Sequence, residues 1–390
     1  MALTRPGGYI QAAAPTVTFL NGKGYWTQNQ ISQYKTLRRW PQQFSTVLAI
    51  PQGTSLPLLY AWDGTSLAYN TYTAPGTNAY RGLVWDRAGR ALFYGNSSTS
   101  AMNGYEFTKA GGAVSTYTGG TFSYVPANGT LKASPTSDRL WFYSQDSYGR
   151  LCQVSYDPAA KTWGTVTTPY NQNSYPYSGD KRPSISPDGN FYGSGNSSAS
   201  GNVPLFRINQ TDGTSSGIIT TPTGISSLAG ATYNVAWSPS GAAIAIGMGS
   251  GTPRFRIYRW SADTYYGAEY SYTNWSSAAL GVIYKVAWNN AGNVIFFLAG
   301  TAPYLVAYQW NDTTGLGSKF ADPSGFTWST GNTGEFQISP DDKLIVFNTQ
   351  GVSGSEVALA WDNTTGFGAV TSMPVSIANS NSVAFGTLTT

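Results

Sequence analysis

The amino-acid sequence predicts an all-β protein, a seven-bladed β-propeller whose last blade is closed by strands from both ends of the chain. Two observations carry this prediction. A short strand–turn–strand motif recurs at intervals of about 50 residues along the 390-residue chain, and the copies at the two ends are incomplete in complementary ways. Regular repeats of this length, each long enough to form four short strands, are typical of β-propellers.

The repeat is clearest in VAWSPSGAAIAIG, which begins at Val235, and in VAWNNAGNVIFFL, which begins at Val286. The third residue of each copy is an anchor, and consecutive anchors are 47 to 52 residues apart. The anchors are Trp85, Ala133, Ile185, Trp237, Trp288, Ile338 and Phe385. A second landmark follows each of the six full copies by 22 or 23 residues, at Phe107, Tyr156, Ile208, Trp260, Trp310 and Trp361.

Each unit reads as four strands. The first strand ends at the anchor, and a turn such as SPSG or NNAG reverses the chain, with Pro, Asp, Asn and Gly supplying the turn dihedral angles. The second strand is almost entirely apolar, as in AIAIG and VIFFL, which predicts burial on both faces. The third alternates with period two, and a second turn leads to a polar outer strand. The landmark tryptophans are therefore expected between blades.

The chain ends supply the seventh blade. The last copy stops after its first strand, VAFGTLTT, whereas STVLAI from Ser45 and LPLLYAWDG supply the missing strands at the other end. Such closure hides the two strand edges that would otherwise be open to aggregation. The sequence thus predicts a propeller over residues 45–390, preceded by an N-terminal arm or attachment segment over residues 1–44.

The composition excludes several function classes. The chain has no histidine and a single cysteine, Cys152, which removes histidine-based catalysis, histidine metal sites, an intrachain disulfide and a thiolate zinc cluster. Only 10% of residues are charged and the net charge is +4, too little for nucleic-acid binding. No apolar run is long enough for a signal peptide or a membrane span, so we expect neither Sec-type export nor membrane insertion. No cofactor or metal is expected.

Two dipeptides, Trp62-Asp63 and Trp361-Asp362, fall at the end of a predicted third strand. This placement resembles that of tryptophan–aspartate repeat propellers, and the SPDG and SPSG turns resemble those of TolB-type propellers. Without histidine, the Asp-His-Ser/Thr-Trp tetrad of the former family cannot form. The segments VAWSPSGAAIAIGMGSGTPRFRIYRWS and VAWNNAGNVIFFLAGTAPYLVAYQWND resemble repeats in propeller-containing virion proteins of tailed bacteriophages. That resemblance implies a virion protein.

Aromatic side chains occur in the predicted loops on one face of the ring. They have flat rings that could bind sugars, with neighbouring Asn and Ser as polar contacts, although packing at blade junctions is the alternative. These candidate binding residues are Tyr170, Tyr175, Tyr177, Trp275 and Trp328.

A sialidase-like pocket is a second possibility for the site. Arg81, Asp180, Arg182 and Glu335 all lie where a first strand enters the ring, so they could converge at the central channel. Arginines could hold a carboxylate, and paired carboxylates can hydrolyse glycosides. The Asp-box of sialidases is absent, because DPSGFTW at Asp322 has one residue too many. We therefore assign no catalytic residue.

We expect a non-catalytic structural or adhesion protein of a tailed-phage particle, in its tail, fibre or capsid decoration. Residues 1–44 would attach to other virion proteins, and the loop-rich face would contact a host-surface glycan or protein. The protein would be assembled in the host cytoplasm and located in the virion. Two alternatives stay open: a cellular protein-interaction scaffold, and a glycan-binding lectin or glycosidase.

Overall fold

A computed structural model describes most of the chain from Ser45 to Leu388. None of the described segments forms a helix with the length and apolarity that a membrane crossing requires. The predicted arm, residues 1–44, lies outside the described residues. The described residues are 45–52, 55–70, 80–96, 101–107, 114–118, 122–124, 126, 130–144, 150–170, 183–196, 203–222, 225, 231–275, 280–325, 335–348, 356–371, 373 and 383–388.

The described strands form seven antiparallel sheets, which are the blades of a β-propeller, so the predicted fold class is confirmed. The first three blades lie between Tyr80 and Ile218. Blade 1 contains β4 (Tyr80–Trp85), β5 (Ala91–Asn96), β6 (Ala101–Phe107) and β7 (Val114–Thr116); blade 2 contains β8 (Lys132–Ala133), β9 (Arg139–Tyr143), β10 (Leu151–Asp157), β11 (Thr162–Trp163) and β12 (Thr167–Tyr170); blade 3 contains β13 (Ser184–Ile185), β14 (Phe191–Gly193), β15 (Leu205–Ile208) and β16 (Ser215–Ile218).

The next three blades have four strands each. Blade 4 contains β17 (Thr232–Trp237), β18 (Ala243–Met248), β19 (Phe255–Ser261) and β20 (Tyr265–Glu269); blade 5 contains β21 (Ile283–Trp288), β22 (Val294–Ala299), β23 (Leu305–Asn311) and β24 (Gly315–Lys319); blade 6 contains β25 (Phe336–Ile338), β26 (Leu344–Asn348), β27 (Glu356–Asp362) and β28 (Gly366–Thr371). Blade 2 departs from the predicted four strands, because β10 pairs with both β11 and β12.

Blade 7 is assembled from both ends of the described chain, as predicted. It contains β29 (Ala384–Leu388), β1 (Ser45–Gln52), β2 (Ser55–Trp62) and β3 (Leu67–Asn70), in that order across the sheet. The closing pair is antiparallel, with Val47 opposite Gly386 and Leu48 opposite Phe385. The N-terminal strand therefore covers the edge that the C-terminal strand would otherwise expose.

The hydrophobic core consists of seven clusters, each built from two neighbouring blades. Trp237, for example, packs edge-on against Trp260 in the cluster between blades 3 and 4, and Trp288 packs against Trp310 in the next. The landmark tryptophans are buried, which confirms their predicted place between blades. Each blade is thus stabilised mainly by its neighbours, which explains why the ring needs closure.

In each of the six full repeats, the turn after the anchor is closed by one buried polar side chain. The residue that follows the anchor accepts a hydrogen bond from a backbone N–H of the turn or of the next strand. This places an acceptor where the backbone would otherwise be unpaired. The six acceptors are Asp86, Ser134, Ser186, Ser238, Asn289 and Ser339.

Candidate active site in the central channel

The first strands of the blades lie next to one another around the centre of the ring and enclose a cavity of about 320 Å³. Strands and turns of five blades, from β8 to β25, contribute to its wall. Two lysines are the charged residues in that wall, and the rest of the lining is polar or apolar. The polar lining side chains are Lys132, Ser184, Ser186, Asn234, Lys285 and Gln337.

A buried ion pair joins blades 5 and 6 beside this cavity; Lys285 lines the cavity, whereas Glu335 contacts Lys285 without being a lining residue. The ammonium group of Lys285, near the start of β21, contacts the carboxylate of Glu335, which immediately precedes β25. The two side chains are only 9% and 7% exposed. Lys285 also donates to the backbone carbonyl of Phe336 at 2.5 Å, and its ammonium lies 4.8 Å from the centre of the Phe336 ring. Each charge therefore has partners, as a buried charge requires.

Amide side chains hold the neighbouring parts of the wall. Asn234 on β17 is buried, and its Oδ1 accepts a hydrogen bond from the Val286 backbone N–H at 2.7 Å, which ties blade 4 to blade 5. Gln337 on β25 lines the cavity, and its Nε2 donates to Glu335 Oε1 at 3.4 Å. Asn234, Lys285 and Glu335 thus connect three consecutive blades.

These three residues occupy the same place in the repeat, three residues before an anchor. Sequence reasoning selected Glu335 but missed Asn234 and Lys285, because it considered only residues of the sialidase type. A signal for them was present, since polar residues at one repeat position of a propeller converge at one height of the channel. The sialidase-like set also included Arg81, Asp180 and Arg182. The backbone of Arg81 is described as part of β4, but its side chain lies outside the described part of the structure, as do Asp180 and Arg182 entirely.

The structure describes two of the five predicted binding aromatics. The ring of Tyr170, on β12, packs against Phe206 with centroids 4.8 Å apart. Trp275 stacks on Tyr308 with centroids 5.1 Å apart, and its edge meets Phe255 at 4.6 Å. Both side chains are half-buried, so part of each ring serves blade packing. Tyr175, Tyr177 and Trp328 lie outside the described residues, and ligand binding by all five stays a prediction.

The described residues hold no group of three or more His, Cys, Asp or Glu side chains arranged to bind a metal ion. The channel chemistry available in the described part comes from the Lys285–Glu335 pair, Lys132, the two amides and the hydroxyl groups.

Comparison with known proteins identifies the fold. No family model matches the sequence, and no curated protein matches it. Among solved structures, the chain is similar to a protein of Bacteroides uniformis provisionally named a 6-phosphogluconolactonase, at 14% identity and a TM-score of 0.65, over 88% of this chain and 100% of that one. It is similar to the periplasmic gluconolactonase of Pseudomonas aeruginosa, at 14% identity and a TM-score of 0.64, over 88% and 99% of the two chains.

A third structure of the same kind comes from Bacteroides fragilis and is also provisionally named a 6-phosphogluconolactonase. Its identity is 12% and its TM-score 0.61, over 88% of this chain and 98% of that one. Identities this low show a shared fold and transfer no activity by themselves.

The prediction of a non-catalytic virion protein is wrong against these comparisons, and so is the prediction that the protein is no enzyme. The three structures are named as lactonases, which are enzymes, and their names carry no link to a phage particle. The wrong prediction rested on composition and loop sequences, which carry no information about a buried ion pair between two blades. The predicted partners and virion location are not addressed by the comparisons and stay predictions. The chain shares its propeller fold with proteins named as lactonases, and its channel contains a buried ion pair.

Proposed function

We propose that the protein is a hydrolase of sugar lactones and that its active site is the central-channel cavity. The observation that carries the proposal is the Lys285–Glu335 pair: Lys285 lines the cavity, and the buried Glu335 carboxylate contacts the Lys285 ammonium and the lining Gln337 amide. A cavity of about 320 Å³ lies within the size range of small-molecule sites, roughly 300–1,000 Å³.

Lactone hydrolysis needs a group that accepts a proton from water and a group that stabilises the negative charge on the carbonyl oxygen. The Glu335 carboxylate accepts the proton as the water oxygen bonds to the lactone carbonyl carbon. The Lys285 ammonium faces the developing oxyanion, where a fixed positive charge in a dry site is most effective. The ring C–O bond then breaks, Glu335 returns the proton to the ring oxygen, and a hydroxy acid results. No histidine is needed at any step.

The remaining polar side chains suit a sugar ring. The Gln337 amide and the Ser184 hydroxyl line the cavity and offer donors and acceptors for sugar hydroxyls. Lys132 adds a second positive charge to the wall, which favours a substrate or product that carries negative charge, such as the hydroxy acid itself.

The test uses the full chain and D-glucono-1,5-lactone, with acid release followed by pH-stat and the spontaneous rate subtracted. Glu335→Gln should lower kcat/KM by about 10²–10⁴-fold, since it removes the proton acceptor. Lys285→Met should lower it by about 10²–10³-fold. Circular dichroism of both variants establishes that they are folded.

A matched control is Glu269→Gln on β20, at the rim of blade 4. Glu269 also pairs with a cation, Arg256, at 3.2 Å, but its side chain is 35% exposed and it lies on the outer strand of its blade. This variant should keep the full rate. A wild-type rate equal to spontaneous hydrolysis for both gluconolactone and its 6-phosphate, or an unchanged rate in folded Glu335→Gln, would overturn the proposal.

A further inference from the structure

A second concave surface lies between blades 3 and 4, away from the channel. It is an open groove of about 710 Å³. One wall is formed by residues 216–222, which include the end of the outer strand β16, and the other by residues 264–267, the turn into β20 and its first residues. The groove shares no lining residue with the channel cavity, so it is a separate candidate site.

The chemistry of the lining restricts the ligand. The residues that line the groove include no Lys, Arg, Asp or Glu. A charged ligand would therefore lose hydration without gaining a counter-charge, which is strongly unfavourable. The walls offer instead the hydroxyls of Ser216, Thr220 and Thr264 and the rings of Tyr265 and Tyr266. Hydroxyls beside aromatic rings suit an uncharged ligand with both C–H faces and hydroxyl groups.

Tyr265 forms part of the groove wall at the turn before the outer strand. It has a left-handed backbone, with φ of 61°, at a position where blades 5 and 6 carry Gly315 and Gly366 and where blade 2 carries Lys161 with φ of 55°. The Tyr265 ring packs with its centroid 5.9 Å from that of Phe191 and lines the groove. This packing fixes the ring in the wall.

Tyr266 contributes part of its ring to the same wall. Its hydroxyl is buried and has no hydrogen-bond partner among the described residues, while its ring packs edge-on against Tyr258 and Trp260. A hydroxyl with this burial is out of reach of a ligand in the open groove, so Tyr266 offers the groove only the exposed part of its ring.

We propose that this groove binds a neutral oligosaccharide. The sugar C–H faces would lie against the exposed parts of the Tyr265 and Tyr266 rings, and sugar hydroxyls would pair with the hydroxyls of Ser216, Thr220 and Thr264. The proposal does not depend on lactone hydrolysis in the channel, and it uses none of the loop-face aromatics considered from the sequence.

The test is isothermal titration of the full chain with three neutral probes: maltopentaose, cellopentaose and xylopentaose. At least one should bind, and oligogalacturonate, an anionic probe, should bind no more tightly. Gly217→Gln should weaken the binding at least roughly tenfold, the equivalent of one good hydrogen bond. A Cβ atom at Gly217 meets no atom within 4 Å, so the new side chain enters the groove without disturbing the fold.

Two further variants separate binding from folding. Val370→Gln changes an exposed residue of β28, the outer strand of blade 6, and should leave the affinity unchanged. Tyr266→Phe should also leave the affinity unchanged, while the urea midpoint stays equal or rises, because it deletes an unpaired buried hydroxyl that the ligand does not reach. The proposal is overturned if no probe binds at millimolar concentration, if Gly217→Gln binds as tightly as wild type, or if an uncharged Ser/Thr peptide binds the groove and the saccharides do not.

Discussion

Removing one charge of the Lys285–Glu335 pair should destabilise the ring far more than removing both. In Glu335→Gln the buried ammonium loses its counter-charge, and in Lys285→Met the buried carboxylate does. Each side chain is less than a tenth exposed, so water can replace little of what is lost. Breaking a buried pair by removing one partner costs about 3–5 kcal/mol.

The surrounding contacts decide where in that range each variant falls. Glu335→Gln leaves the bond from Lys285 to the Phe336 carbonyl and the contact with the Phe336 ring, so its cost should be about 3 kcal/mol. Lys285→Met also removes those two contacts, which places its cost nearer 5 kcal/mol. The double variant buries no charge and loses chiefly the bond to Phe336, worth about 1–3 kcal/mol.

The assay is urea unfolding followed by tryptophan fluorescence, for which the chain has 13 tryptophans. The two single losses should sum to at least about 3 kcal/mol more than the loss in the double variant. Single losses below about 1 kcal/mol, the behaviour of an exposed pair, would refute the conclusion that these charges are buried. Losses that simply add would refute the direct pairing.

Three further predictions concern the stability of the ring. Gly386→Ala, in the closing strand β29, should cost about 1–3 kcal/mol in urea unfolding, because a Cβ atom there would lie 2.4 Å from the Trp85 ring; a change within error would refute that contact. Burial raises the pKa of Asp86, although the hydrogen bonds that it accepts from the Ala91 and Arg90 N–H groups act in the opposite direction. Wild type should therefore lose stability relative to Asp86→Asn as the pH rises from about 3.9, the pKa of an unfolded Asp carboxyl, through the higher pKa of the folded protein. Melting curves between acid and neutral pH test this, and a wild type that gains stability relative to Asp86→Asn with rising pH would contradict the sign. Trp237→Ala, which empties a site only 6% exposed, should cost about 3–5 kcal/mol, and an unchanged unfolding curve would exclude its place in the core.

The functional proposals and these stability tests are linked at Glu335. A folded Glu335→Gln variant without activity supports a chemical role, whereas an unfolded one reports only the buried charge. The activity of the double variant Lys285→Met/Glu335→Gln is the appropriate second measurement. This variant buries neither charge of the pair, so it should be folded and still inactive.

Several features of the fold could be predicted because they depend on short-range patterns. The anchors end or lie in first strands, the landmarks lie in third strands, and the closing strand pairs with the strand at Ser45. The extra pairing of β10 with both β11 and β12 was not predictable from the pattern, because the segment after the landmark Tyr156 has no clear alternation of polar and apolar residues.

The candidate site was predicted only in part. Glu335 was selected because a carboxylate at a strand entrance is conspicuous, but its partner Lys285 is 50 residues away in the chain. Trp275 was a candidate binding ring, with packing at a blade junction as the alternative, and it stacks on Tyr308 while it stays half-buried. In both cases the outcome depends on which side chains of neighbouring blades come within reach, and no local pattern contains that information.

The sequence by itself determined the architecture: the alternation of apolar residues specifies the strands, the repeat of about 50 residues specifies the blades, and the complementary ends specify closure. The tertiary structure decided the chemistry. Asn234, Lys285 and Glu335 lie near one another because equivalent repeat positions come to one level of the channel. The groove at Tyr265 forms where blade 4 packs against blade 3. Strand formation is a property of a few neighbouring residues, whereas a site depends on distances across blades that only the closed ring establishes.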